Sequence, residues 1–184
     1  MVSLASFWGG AMGLNISAFS GLQEVSRDHV LFNDNGFIDD SLWDRYQQFY
    51  IDESMPLSWS EGINKNACYN RGQVVFRFYV GSHYYYSRFL EQLYLFSRMI
   101  CPEGQNDSDL PFYELVFSSC NEGTLGPFVS KKLCNDFKQN KTFVNNPAIF
   151  SPESLMSFTD FTQLYDLFLN GFNLARDKGA FVFH

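Results

Sequence analysis

The residues with the most chemical potential lie between Phe117 and Pro127, in the run F-S-S-C-N-E-G-T-L-G-P. Ser118, Ser119 and Thr124 supply hydroxyls, Glu122 supplies a carboxylate, and Gly123 and Gly126 relax the backbone for close approach. Placed between a strand and a helix that opens at Pro127, such a turn can bind an anion. Backbone N–H groups at a helix start carry partial positive charge, and Lys131 or Lys132 can neutralise a phosphate. The pattern G-x-x-x-x-G-K-[ST] is absent, so this is no Walker A loop. The competing reading is an ordinary strand-to-helix connection, where glycine and serine are common.

A second group is Ser82-His83-Tyr84-Tyr85-Tyr86-Ser87-Arg88, a tyrosine-rich turn in which Tyr84 and Arg88 can stack against a ring or nucleobase. Three consecutive tyrosines on a helix point in different directions, so the bland alternative divides them between core and solvent. Glu114 and Glu122, with His83 or His184, could serve acid–base chemistry, although solvated carboxylates satisfy the same spacing. Cys120 beside Ser119 lacks the G-x-S-x-G context of a nucleophile elbow and reads as a buried thiol. The candidate ligand-binding set is Ser82, Tyr84, Arg88, Glu114, Ser118, Glu122, Gly123, Gly126 and His184; no catalytic residue, metal ligand or cofactor is assigned.

These residues must be held by elements that hydropathy patterning sketches. Leu14 to Phe19 alternates as a strand, and Gln73 to Val80 sets Val74, Phe76, Phe78 and Val80 against Val75, Arg77 and Tyr79. Ser82 caps a helix predicted over 83–100, with Tyr85, Phe89, Gln92, Leu93, Phe96 and Met99 or Ile100 in its buried stripe. Asp39, Asp40 and Ser41 precede a predicted short helix carrying Leu42, Trp43, Tyr46 and Phe49, and 52–72 reads as loop. Phe112 to Ser118 alternates and reads as a strand, and 123–126 as a loop. A helix runs from Pro127 to about residue 139. After the Ser151-Pro152-Glu153 start signal, helical stripes run from Leu155 through Lys178, with Gly171 a point of interruption. Gly179 is assigned the left-handed closing position, ahead of a strand-like Ala180 to Phe183. Strands do not alternate regularly with helices, which selects an α+β fold, a mostly antiparallel sheet packed by three to four helices.

Size and composition bound the rest. A chain of 184 residues, 46% hydrophobic with 21 Phe and 10 Tyr, can bury a core of its own, so residues 12–184 read as one domain and 1–11 as a frayed extension. A net charge of −7 opposes phosphate backbones and anionic lipid, which argues against nucleic-acid and membrane partners. No apolar run reaches membrane-spanning length, and no Lys or Arg precedes Arg27 to form a secretory n-region, which points to the cytoplasm. The four cysteines form no C-x-x-C pair, and the three histidines form no metal motif.

Four blocks carry a resemblance: M-G-L-N-I-S-A-F-S from Met12, F-Y-E-L-V-F-S from Phe112, E-G-T-L-G-P from Glu122 and G-A-F-V-F-H from Gly179. In this order they resemble a group of small phage and prophage proteins of unknown function. Those proteins open M-G-L-D-I-S-A-Y-S, carry an E-L-I-x-F-S-D-x-E-G-x-I-G-P block and end G-A-V-x-F-H. The resemblance implies a viral setting, and implies that Ser17, Ser20, Ser82, Glu114, Ser118, Glu122, Gly123, Gly126 and His184 occupy motif positions. Asn15 stands where the pattern has an acid, Phe19 where it has Tyr, Phe89 near a Trp position, and Ser119 where it has Asp. Three expectations follow. The chain is a phage accessory protein binding a small, nucleotide-like ligand to counter host defence, a protein-binding inhibitor of a host factor, or a hydrolase using Glu and His. Whether it forms a homo-oligomer is open.

Overall fold

The computed structural model describes residues 13–71, 74–101, 106–118, 122–150 and 154–184. The expected extension 1–11, the turn residues Ser119 and Cys120 and the start signal Ser151 to Glu153 lie outside them. The fold is α+β. Strands β1 (Leu14–Ser20), β5 (Val74–Gly81), β6 (Gly123–Leu125) and β7 (Ala180–Phe183) form one antiparallel sheet in the order β5-β1-β7-β6. A smaller antiparallel sheet, order β2-β4-β3, is built from β2 (Gln23–Val25), β3 (Tyr46–Gln47) and β4 (Cys68–Asn70). The helices are α1 (His83–Ile100), α2 (Tyr113–Val116), α3 (Pro127–Val144) and α4 (Phe158–Ala175).

Period-2 alternation gives the large sheet two different faces. Leu14, Ile16 and Ala18 of β1, Val80 of β5 and Phe181 and Phe183 of β7 point to one side, into a core shared with α1, α3 and α4. Phe168 sits at its centre, with ring centroids 5.0 Å from Phe89, 5.3 Å from Phe78 and 5.8 Å from Phe181. Gly171 does not interrupt α4. A side chain there would place its Cβ 2.6 Å from the Phe181 ring, so glycine lets the helix lie close on the sheet.

The opposite face is divided. Phe19, Ala180 and Val182 are covered by Leu22, Phe49, Ile51, Ile63, Ala67 and Tyr69. The strand ends nearest Asn15 and His184 lie beyond this apolar cover.

Several sequence expectations are corrected. Phe112 to Ser118 is not a strand: Phe112 adopts φ 65°, and α2 follows. Phe112 and Leu115, both fully buried, are three apart and fit one helical turn, while Asp136 accepts a hydrogen bond from the Phe112 N–H at 2.9 Å. The alternation was coincidental. Residues 123–125 form β6 rather than loop, because β7 supplies a partner that local propensity cannot reveal. The expected helix through Trp43 and Phe49 shrinks to a 3₁₀ turn, Asp40–Leu42, capped by Asp39; Tyr46–Gln47 then pairs with β4. The 52–72 loop contains a 3₁₀ turn, Leu57–Ser60, and β4. Gly179 is not the left-handed residue; Lys178 is, with φ 46°. Glycine is needed at 179 because a Cβ would stand 1.9 Å from the Phe19 carbonyl oxygen. Helix α1 keeps its predicted bounds, but Tyr86 rather than Tyr85 is fully buried and Met99 is exposed. Helix α3 extends five residues beyond its expected end, to Val144.

Candidate functional site

Antiparallel register sorts the polar side chains of the open face into rows. Asn15 is opposite Tyr79 on β5, and its backbone N–H and C=O exchange hydrogen bonds with His184 beyond the end of β7. Ser17 is opposite Arg77 on one side and Val182 on the other. Because directly opposed residues share a face, Asn15, Ser17, Arg77, Tyr79 and His184 emerge together. Thr124 shares this face farther along the second row, but is buried and donates its hydroxyl to the Tyr50 carbonyl oxygen at 2.6 Å. The polar corner therefore stops where the apolar cover begins.

The corner is a shallow depression of about 210 Å³ whose polar lining is Asn15, Ser17, Arg77 and Tyr79. A register irregularity between Leu14 and Asn15 inserts one extra residue of β5 at its rim, a device that re-aims side chains at strand ends. Tyr79 folds over the start of β1, and Gly13 makes room for it: a Cβ there would meet the phenol oxygen at 2.2 Å.

His184 Nε2 lies 3.0 Å from Ser17 Oγ. In one tautomer the hydroxyl donates to the ring nitrogen; in the other the ring N–H donates to the hydroxyl. The terminal residue as a whole is exposed, yet its ring is enclosed enough that desolvation pulls its pKa down from 6.5; the Arg77 charge adds to that, and Glu122 opposes it. The imidazole is accordingly neutral at pH 7 and can accept a proton. Glu122 enters because Gly123 pairs with Phe183, which sets Glu122 in register beside His184. The Arg77 guanidinium is exposed and has no ion-pair or hydrogen-bond partner among the described residues.

The other candidates from the sequence fall elsewhere. Ser82 caps α1 by accepting the Tyr85 N–H at 3.2 Å. Tyr84 and Arg88 pair on the same helix, with Arg88 Nη2 donating to the Tyr84 hydroxyl at 2.8 Å. Glu114 is bound to Lys132 at 2.6 Å, and Asp136 shares that ammonium at 2.9 Å. Asp136 has its pKa raised, chiefly by burial, against the opposing pull of Lys132 and the Phe112 N–H. Ser118 is buried and donates to the Leu115 carbonyl at 2.8 Å. Gly126 is buried at the head of α3, its N–H donating to the Trp59 carbonyl at 2.8 Å; a Cβ would lie 2.2 Å from the Glu61 carbonyl oxygen.

No known family, curated protein or solved structure matches this chain.

Function must therefore be read from the site itself. Of the sequence candidates, Glu122, Gly123 and His184 converge at the sheet corner, and Ser17, marked by the resemblance, joins them. Asn15, Arg77 and Tyr79 were not among the candidates. A signal was present: an arginine and a tyrosine on alternate positions of a strand whose other face is Phe76, Phe78 and Val80. What was missing was the register that sets them beside Ser17 and His184.

Proposed function

We propose that this protein binds a small anionic ligand bearing a phosphate or carboxylate, nucleotides included, at the open corner of its large sheet. The observation that carries the reading is a guanidinium, Arg77, without an ion-pair or hydrogen-bond partner among the described residues, lining a polar depression in direct register with Ser17 of the Ser17–His184 pair. Arginine supplies charge and a planar fork of donors for an oxyanion. Asn15 adds a directional hydrogen bond and Tyr79 an aromatic wall, while the Ser17–His184 pair sits beside them as a polar neighbour. The sequence resemblance implies a viral setting, and sequestration of a host signal molecule by a phage accessory protein belongs to the same proposal.

Native mass spectrometry against a pool of mono-, di- and cyclic nucleotides and simple phosphates tests the reading. An added mass in the wild type that Arg77→Met weakens by tenfold or more supports it, since a charge-assisted contact contributes about 1.5 to 3 kcal/mol. Equal binding by wild type and variant removes Arg77 from the site, and no adduct across the pool rejects the ligand class.

The Ser17–His184 contact also favours a second reading, ester hydrolysis, with His184 as base and Glu122 steadying the imidazolium. Burial counts against it: Ser17 is 5% exposed, which leaves little room for attack on a bound carbonyl. Turnover of nitrophenyl esters that Ser17→Ala abolishes would decide for this alternative.

A further inference from the structure

A second pocket, of about 230 Å³, opens on the smaller sheet between Phe37, Trp43, Tyr46, Gln47, Gln48 and Arg71. Its walls are fixed from within. Trp43 Nε1 donates to the Ile38 carbonyl at 2.9 Å, Gln48 Oε1 accepts the Ile38 N–H at 3.1 Å, and Gln47 Nε2 donates to the Gln48 carbonyl at 2.9 Å. The Arg71 N–H donates to the Arg45 carbonyl at 2.9 Å, which continues the β3–β4 ladder and anchors the arginine at the pocket. Aromatic cup and cation are thus preorganised.

The Arg71 guanidinium is unevenly used. Nη1 pairs with Asp44 at 3.5 Å, a carboxylate almost fully exposed and so a weak partner. Nε is buried and has no hydrogen-bond partner among the described residues. On an arginine, Nε–H and the nearer Nη2–H form one edge of the planar fork, parallel and spaced to meet both oxygens of a carboxylate. Asp44 takes Nη1, and because Nε is closed to solvent, Nη2 is the donor that faces a ligand.

We infer that this pocket is a binding site for a small aromatic carboxylate, its carboxylate received by the Arg71 guanidinium and its ring held among Trp43, Tyr46 and Phe37. Size restricts the ligand to one ring. A water fills about 30 Å³ of liquid, so the pocket corresponds to about eight waters, enough for a phenyl ring with a short acidic arm. A planar, single-ring acid uses every feature: guanidinium donor, aromatic walls and the polar amides at the mouth.

The test titrates the full chain with phenylacetate and its neutral isostere phenylacetamide, by calorimetry and through the Trp43 indole N–H resonance. The inference expects the acid to bind at least tenfold more tightly than the amide and to shift the Trp43 resonance. Arg71→Met should erase that preference, and Arg77→Met should keep it, which separates this site from the corner of the large sheet. Equal affinity for acid and amide, no binding of either, or a preference that survives Arg71→Met overturns it. If Arg71→Met does not fold, the acid–amide comparison at the wild-type Trp43 resonance decides alone.

Discussion

Removing the ammonium shared by Glu114 and Asp136 should destabilise the protein in a pH-dependent way. Lys132 Nζ stands 2.6 Å from Glu114 Oε2 and 2.9 Å from Asp136 Oδ2. These distances cap the separation of the two oxygens at about 5.5 Å, where like charges at an effective dielectric of about 20 repel by about 3 kcal/mol. Both carboxylate side chains are only 16% exposed, so that dielectric suits them, while Lys132 at 39% lets solvent screen part of the effect. Lys132→Met should therefore cost about 2 to 3 kcal/mol at pH 7, read as a shift in urea midpoint at constant slope. The sign of the pH effect follows from Asp136, whose pKa burial raises in the fold above the ordinary carboxylate value. A group of this kind favours folding when protonated and loses that contribution as pH rises through its folded pKa. In the variant the unneutralised Glu114 reinforces the upward shift, so the deficit should be largest at neutral pH and shrink toward pH 4.5. A deficit of equal size at both pH values would refute the repulsion argument and leave lost packing of the lysine stem as the cause.

Three further outcomes concern His184 and Gly179. His184 has a lowered pKa, so its neutral form is favoured in the fold: its contribution to stability is intact above about pH 6.5 and declines as pH falls below it. Anion binding should run the opposite way. A ligand beside His184 favours the imidazolium, so affinity at the corner should rise between pH 7.5 and 5.5 by about tenfold, and His184→Asn should flatten the profile. Gly179→Ala forces a Cβ against the Phe19 and Ala175 backbone oxygens, which cannot rotate away; it should cost about 3 kcal/mol in chemical denaturation, whereas Gly36→Ala, with open space around it, should cost about 1 kcal/mol for its positive φ alone.

The elements readable from sequence were those whose pattern is sustained. Strand β1, strand β5 and helix α1 each repeat their period long enough to define a face, and Ser82 and Pro127 mark helix starts through chemistry local to the chain. Strand β6 has three residues and exists because β7 is beside it; α2 has four and is fixed by Asp136, which lies 24 residues from Phe112. Neither cause is visible in a local window. The same limit governed the site: Glu122 and His184 were chosen for their chemistry, but only strand register brings Ser17 and Arg77, far from both in sequence, to the same corner.

Strand β5 ends the large sheet, and among the described strands it pairs only with β1. Eight residues of unpaired strand edge with Val75 and Tyr79 exposed is a template on which a second chain could add itself. Arg77 interrupts that template near its middle, and a charge there makes stacking of two such edges unfavourable. The residue proposed to hold an anion would thus also oppose pairing of two copies at this edge. Arg77→Met should self-associate with rising concentration, and a bound polyanion that cancels the charge would carry the same hazard.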